Sequence, residues 1–117
     1  NTGVQFRSSR VKDSTEVRGY QADIGEKYWG CLYDESRRRK VLVQAPVKLY
    51  DILKLDDWNT YVIRAEGSRV KLEMNGFETV DYVEDDAEIE RDGIIALQVH
   101  SGPPLKIEFR NIRIKKL

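Results

Sequence analysis

The fold class of this chain follows from residues 69–82, which read RVKLEMNGFETVDY. Val70, Leu72 and Met74 alternate with charged residues, and this period of two is typical of a strand with one buried face. Asn75-Gly76 comes next, and this dipeptide accepts the positive φ that both central positions of a type I′ turn require. The stretch therefore predicts a tight β-hairpin.

Similar alternation lies on both sides of the hairpin. Gly67-Ser68 predicts a second turn, which would make residues 58–82 a three-strand meander. Residues 93–99 predict a further strand that ends at Ser101-Gly102-Pro103-Pro104. The buried face of that strand is predicted to carry Ile95, Leu97 and Val99.

A last strand is predicted from about residue 106 to residue 114. Ile107 and Phe109 keep the alternation, but the next apolar pair, Ile112 and Ile114, is out of phase by one residue. A β-bulge at Arg110-Asn111 would return both pairs to the core.

The whole pattern predicts an all-β fold, an antiparallel β-sandwich or jelly roll of roughly seven or eight short strands without helical crossovers. Residues 47–55 are the exception, and form either a short helical turn or an apolar loop that plugs the core. A chain of 117 residues has the length of one domain.

Composition and charge exclude several classes of protein. The chain has 20 basic and 20 acidic residues, whereas proteins that bind nucleic acids usually carry a basic excess. No apolar run approaches the ~18 residues of a membrane span. The single cysteine, Cys31, excludes an intrachain disulfide and a cysteine-cluster metal site. The basic run at residues 36–40 is interpreted as a solvated loop, with a patch for an anionic polymer as the alternative.

The residues that could carry chemistry are polar side chains on predicted strands. His100, the only histidine, follows a strand beside Gln98, and it is either structural or exposed, or a general base or metal ligand. Gln21 and Asp23 share one face of the strand at residues 20–24, which is either solvated or a concave face that binds sugar hydroxyls.

Three aromatic residues, Tyr28, Trp29 and Tyr33, flank Gly30-Cys31. They are either core residues or a platform on which the C–H face of a pyranose ring packs. Trp29 is the better candidate for the platform.

Five longer segments are distinctive. They are NTGVQFRS at residues 1–8, GYQADIG at 19–25, WGCLYDESRR at 29–38, DWNTY at 57–61, and GIIALQVHSGPP at 93–104 with FRNIR at 109–113. They resemble the segments NSGxxFRS, GYQxDIG, WGxLYDESRR, xWNxY and GIIALQxHSGPP…FRNIRI of the 3-keto-disaccharide hydrolase family.

The resemblance implies a concanavalin A-like sandwich and a reaction on oxidised sugars. In that family a base removes the proton at C2 of a 3-keto-glycoside, the aglycone leaves C1 by elimination, and water adds back. Such chemistry needs a base, a group that stabilises the enolate and a proton donor for the leaving oxygen. The resemblance also implies an exported bacterial protein.

The catalytic residues are predicted to be His100, Asp23 and Arg7. His100 would be the base or would bind a divalent metal, the one cofactor considered, and Asp23 would orient His100 or share that metal. Arg7 or Gln98 would stabilise the enolate oxygen. Arg7, Gln21, Asp23, Gln98 and His100 are expected on one concave surface. The predicted substrate-binding residues are Gln21, Gln98, Trp29, Tyr33 and Glu35.

Two other functions fit the same fold: a non-catalytic carbohydrate-binding module and a purely structural domain. Domains of the family usually have an N-terminal portion that this sequence does not show, so residues 1–117 are expected to be a single, partial domain that lacks the usual first strands. An uncovered sheet edge invites pairing, which predicts self-association or a completing N-terminal segment.

Overall fold

The structure is a computed structural model that describes residues 2–104 and 106–117. Within these residues the chain forms eight β-strands and one 3₁₀ helix. In chain order they are β1 (Thr2–Arg10), β2 (Val17–Ile24), β3 (Leu32–Glu35), β4 (Val41–Val43), the 3₁₀ helix (Val47–Asp51), β5 (Tyr61–Glu66), β6 (Arg69–Met74), β7 (Phe77–Val83) and β8 (Ile94–Leu97).

The strands form two antiparallel sheets that pack face to face. The larger sheet has the order β4-β3-β2-β1-β8, and the smaller has the order β5-β6-β7. The predicted all-β antiparallel sandwich is therefore confirmed. The described residues contain no helix that is long and apolar enough to cross a membrane.

The two turns of the meander are confirmed. Asn75 and Gly76 have φ angles of 52° and 83°, and Met74 pairs with Phe77 across them. Gly67 has a φ of 58° at the turn between β5 and β6. Local chemistry thus sets both reversals of the smaller sheet.

The hydrophobic core lies between β1, β2 and β3 of the larger sheet and β6 and β7 of the smaller one. Its buried members are Phe6, Tyr20, Ala22, Leu32, Val70, Leu72 and Val80. The rings of Phe6 and Tyr20 stack with centroids 5.6 Å apart. Of the two alternatives for residues 47–55, the structure shows the short helical turn, a 3₁₀ helix that buries Leu49 completely.

The prediction of a strand at residues 106–114 is wrong. That segment has no strand, and Asn111 adopts a left-handed φ of 53° that interrupts extended backbone. Ile112 and Ile114 are 65% and 76% exposed, so no bulge returns them to the core. Alternation alone does not make a strand, because the backbone also needs a ladder partner, and this segment has none in the described part of the chain.

The strand predicted at residues 93–99 forms, but it is shorter and its apolar side is not buried. Ile95, Leu97 and Val99 are 54%, 43% and 83% exposed. The reason is that β8 lies at the edge of the larger sheet, beyond β1, whereas the buried core cluster lies between β1, β2, β3, β6 and β7. Self-association, or completion of the fold by an N-terminal segment, stays a prediction.

A buried ionic network ties the larger sheet to the end of β7. Asp34 of β3 is fully buried and accepts hydrogen bonds from Arg37 Nε at 2.8 Å and from Arg38 Nε. Arg38 also donates to both carboxylate oxygens of Glu84, at 3.0 and 2.5 Å. Tyr20 Oη donates to Glu84 Oε1 at 2.6 Å.

The interpretation of residues 36–40 as a solvated loop is therefore wrong for two of its arginines. The side chains of Arg37 and Arg38 are only 7% and 25% exposed. The guanidinium of Arg37 also stacks over the ring of Tyr20, 4.8 Å from its centroid. Buried carboxylates need such partners, because a charge without one is expensive to remove from water.

Arg38→Met should destabilise the protein strongly, because it leaves two carboxylates, Asp34 and Glu84, in the interior without their shared cation. The expected loss in free energy of unfolding is about 3–5 kcal/mol. Arg69→Met is the matched control, since it removes an exposed ion pair with Asp81 and should leave the urea midpoint nearly unchanged. Equal losses in urea denaturation of the two variants would contradict this assignment.

Candidate functional site

A polar cavity of about 340 Å³ lies on the face of the larger sheet opposite the core. It is lined by Gln21, Asp23, Tyr28, Tyr33, Glu35, Gln98 and His100. The cavity forms there because side chains alternate along β2: Tyr20 and Ala22 face the core, so Gln21 and Asp23 face the other way.

Three segments that are distant in sequence meet in this cavity. Gln21 of β2 lies directly opposite Tyr33 of β3, so the two side chains share a face. On the other side of β1, the backbone N–H of Gln98 donates to the carbonyl of Gly3 at 3.0 Å, which brings the end of β8 alongside. Six of the eight predicted site residues line the cavity, and their individual roles stay predictions.

Arg7 does not reach the cavity, which corrects its expected position on the concave surface. Its φ is 46°, and the pairing of β1 with β2 shifts register between Phe6 and Ser9. This bulge breaks the alternation and redirects the side chain. Arg7 Nη1 donates instead to the carbonyl of Gly67, at a turn of the smaller sheet, over 2.6 Å.

Tyr28, rather than Trp29, lines the cavity beside Tyr33. Trp29 is half-buried outside it, and the turn at residues 25–30 decides which ring faces inward. The sequence analysis favoured Trp29 as the platform, and the structure corrects this, because the sequence contains no signal that separates neighbours within a turn.

Asp23 is the most restrained acid of the cavity. Its residue is 2% exposed, and its backbone N–H donates to the carbonyl of Cys31 at 3.0 Å. The Asp23 carbonyl accepts from the N–H of Gly30 and from the hydroxyl of Tyr61, each at 3.1 Å. These bonds hold the backbone of the acid in one place.

Burial raises the pKa of Asp23 to about 7, because water no longer stabilises the ionised form. Nearby Glu35 raises this pKa further, while the hydrogen bond from Gln21 and the charge of His100 lower it. Burial also raises the pKa of Glu35, and His100 opposes that shift. The cavity therefore holds two carboxyl groups whose pKa values are moved toward neutrality.

The two amides have defined ends. Gln21 Nε2 donates to Asp23 Oδ1 at 2.5 Å and to Gln98 Oε1 at 2.9 Å. Since the oxygen of Gln98 is the acceptor in this pair, its NH₂ group is the end that can donate to a ligand in the cavity.

The imidazole of His100 is exposed at the mouth of the cavity. Its Nδ1 lies 2.6 Å from the carbonyl of Ser101. A carbonyl only accepts, so Nδ1 donates this hydrogen bond and Nε2 is the ring nitrogen that can exchange a proton with a ligand.

The described residues contain no group of three or more histidine, cysteine, aspartate or glutamate side chains arranged to hold a metal ion. The side chains near His100 in the cavity therefore do not fit a metal centre with a full set of protein ligands. Metal binding by His100 stays a prediction.

A larger cavity, of about 430 Å³, lies on the outer face of the smaller sheet. It is lined by exposed charges, several of which pair across the strands, including Arg69 with Asp81 and Lys71 with Glu78. Paired, solvated charges are not activated for chemistry, so the smaller cavity with its buried acid is the candidate site.

One comparison with known proteins identifies a family. Residues 1–115 match the family model described as a 3-keto-alpha-glucoside-1,2-lyase-like domain. No curated protein matches the chain.

Asp23→Asn should make stability less dependent on pH. Because the pKa of Asp23 is raised in the folded state, the folded protein binds more protons than the unfolded chain, and stability falls as pH rises from about 4 to about 7. The variant cannot ionise at this position, so its thermal midpoint should fall less across that range. An identical fall in both proteins would contradict the assigned shift.

Proposed function

Because the chain belongs to the 3-keto-alpha-glucoside-1,2-lyase-like domain family, we propose that it is an enzyme that cleaves 3-keto-glycosides. The proposed reaction begins with removal of the proton at C2 and continues with elimination of the aglycone from C1. A role in carbohydrate chemistry follows from the family, and the reaction itself is the proposal.

One observation carries this proposal. The carboxyl group of Asp23 is nearly fully buried, lines a polar cavity, and has a pKa of about 7. A base that removes a proton from carbon is most effective when its pKa lies near the working pH. The ketone at C3 makes the C2 proton acidic enough for a carboxylate to take. Asp23 is therefore the proposed base.

The electrons of the broken C2–H bond move into the C2–C3 bond, and negative charge develops on the ketone oxygen. Gln98 is the proposed stabiliser of this oxygen, because its own oxygen accepts from Gln21 and its NH₂ group is therefore the end that can donate. Arg7, the alternative predicted from sequence, bonds the turn at Gly67 and takes no part.

Elimination then forms the C1–C2 double bond, returns the ketone and expels the oxygen at C1. Glu35 and His100 line the cavity and interact electrostatically, so this pair is proposed to deliver a proton to the leaving oxygen. Addition of water at C1 of the unsaturated product completes the net hydrolysis.

The rings of Tyr28 and Tyr33 are proposed to bind the sugar itself. Both line the cavity, and aromatic faces pack against the C–H face of a pyranose. Rings and amides of this kind also suit the alternative function, a carbohydrate-binding module without catalysis. On the family resemblance we also propose an exported bacterial protein.

Turnover of a 3-keto-disaccharide tests the reaction. Wild-type protein should release free sugar, and Asp23→Asn or His100→Ala should lower kcat by at least about 100-fold, because each removes a proton-transfer group. His100 is exposed, so its loss should leave the thermal midpoint unchanged.

Val99→Ala is the matched control, since Val99 is the exposed neighbour of His100 and does not line the cavity. It should retain wild-type kcat. Binding of the sugar without turnover in the wild-type protein would favour the carbohydrate-binding module instead.

A further inference from the structure

Gln21 has an amide that is buried and fully oriented. The residue is 2% exposed, and its Nε2 donates to Asp23 Oδ1 at 2.5 Å and to Gln98 Oε1 at 2.9 Å. When Asp23 is ionised its carboxylate can only accept, so in that form, which is the one that acts as a base, the NH₂ group of Gln21 faces Asp23. Both hydrogens of the amide are thereby used inside the site.

The other end of this amide has no partner. Gln21 Oε1 is buried and accepts no hydrogen bond from any described residue. A buried acceptor without a donor destabilises the folded state, and an apolar side chain of the same shape would avoid that penalty. Packing alone therefore does not account for an amide at this position.

The neighbouring strand leaves room for the amide. Gly3 lies opposite Asp23 in the β1–β2 ladder. A Cβ at Gly3 would lie 2.6 Å from Gln21 Cγ and 2.8 Å from Gln21 Nε2, closer than atoms pack. The backbone of β1 thus approaches the amide directly, which holds Gln21 in the conformation that contacts Asp23.

We propose that Gln21 is a positioning residue that holds one carboxylate oxygen of Asp23, and with it the oxygen of Gln98, in the geometry used for proton transfer. The sequence predicted that Gln21 binds substrate, whereas its donating end is already occupied by these two residues. The role concerns geometry, so its loss should slow the chemical step and leave substrate binding intact. Only the kinetic part of the test rests on the proposed function.

The kinetic test compares two buried glutamines on one face of the sheet. Gln5 lies opposite Gln21, is 3% exposed, and donates to the carbonyl of Val17 rather than to Asp23. Gln21→Met should lower kcat for a 3-keto-disaccharide by at least about tenfold, because small displacements of a reacting group are costly, with KM within about twofold of wild type. Gln5→Met should retain wild-type kcat.

Stability gives a second readout in the same variants. Gln21→Met removes the unpartnered oxygen but also the donor to the buried Asp23 carboxylate, so its thermal midpoint should fall about as far as that of Gln5→Met, which likewise removes one buried donor. The value of kcat is therefore measured well below both midpoints. A fall in kcat that merely follows a lower midpoint, or wild-type kcat in Gln21→Met, would overturn the proposal.

NMR of the side-chain amides tests the contact between Gln21 and Asp23 without substrate. The two Gln21 amide protons, assigned by their absence in Gln21→Met, should be separated, shifted downfield and slow to exchange, and should move in Asp23→Asn. Signals typical of a freely exchanging amide would overturn the proposal. If wild-type protein fails to turn over 3-keto-glycosides, the proposed function fails, while the NMR result still decides whether Gln21 holds the carboxylate of Asp23.

Discussion

The alternation of side chains along β2 is the constraint on which both the core and the site depend. β2 is the middle strand of the larger sheet, so neighbours cover it on both sides. Tyr20 and Ala22 enter the sandwich core, and Gln21 and Asp23 enter the cavity on the opposite face. A slip of one residue would exchange the two sets, which means that burial of the core also places the site.

Two buried aspartates, Asp34 and Asp23, have partners of opposite kinds, charged in one case and neutral in the other. Asp34 faces the core side and is matched by two guanidinium groups, from Arg37 and Arg38. Asp23 faces the cavity, where the one side chain that donates to it in the described structure is a neutral amide. The first arrangement satisfies a charge and joins the sheets, whereas the second leaves a carboxyl group with a pKa of about 7.

This contrast supports the proposed role of Asp23 as a base. An acid that must take a proton from carbon cannot be neutralised by an arginine, because a tight ion pair would hold it ionised and weakly basic. An amide can orient the same acid without that effect. The arrangement around Asp23, with Gln98 beside it and Glu35 and His100 nearby, supports the proposed proton transfer on a sugar.

Much of this architecture is local and was readable in the amino-acid order. Alternation predicted the core face of β2 and β6, and Asn75-Gly76 predicted its hairpin, because pleat and turn geometry depend on neighbouring residues. The same alternation placed Gln21, Asp23, Gln98 and His100 on the polar side of their segments.

Features that need a distant partner could not be predicted from the sequence. A β-bulge in β1 directs Arg7 away from the cavity, and residues 106–114 have no ladder partner in the described part of the chain. Arg38 is largely removed from water because it pairs with Glu84, a residue 46 positions away. A charge leaves water only where the folded chain supplies its counter-charge.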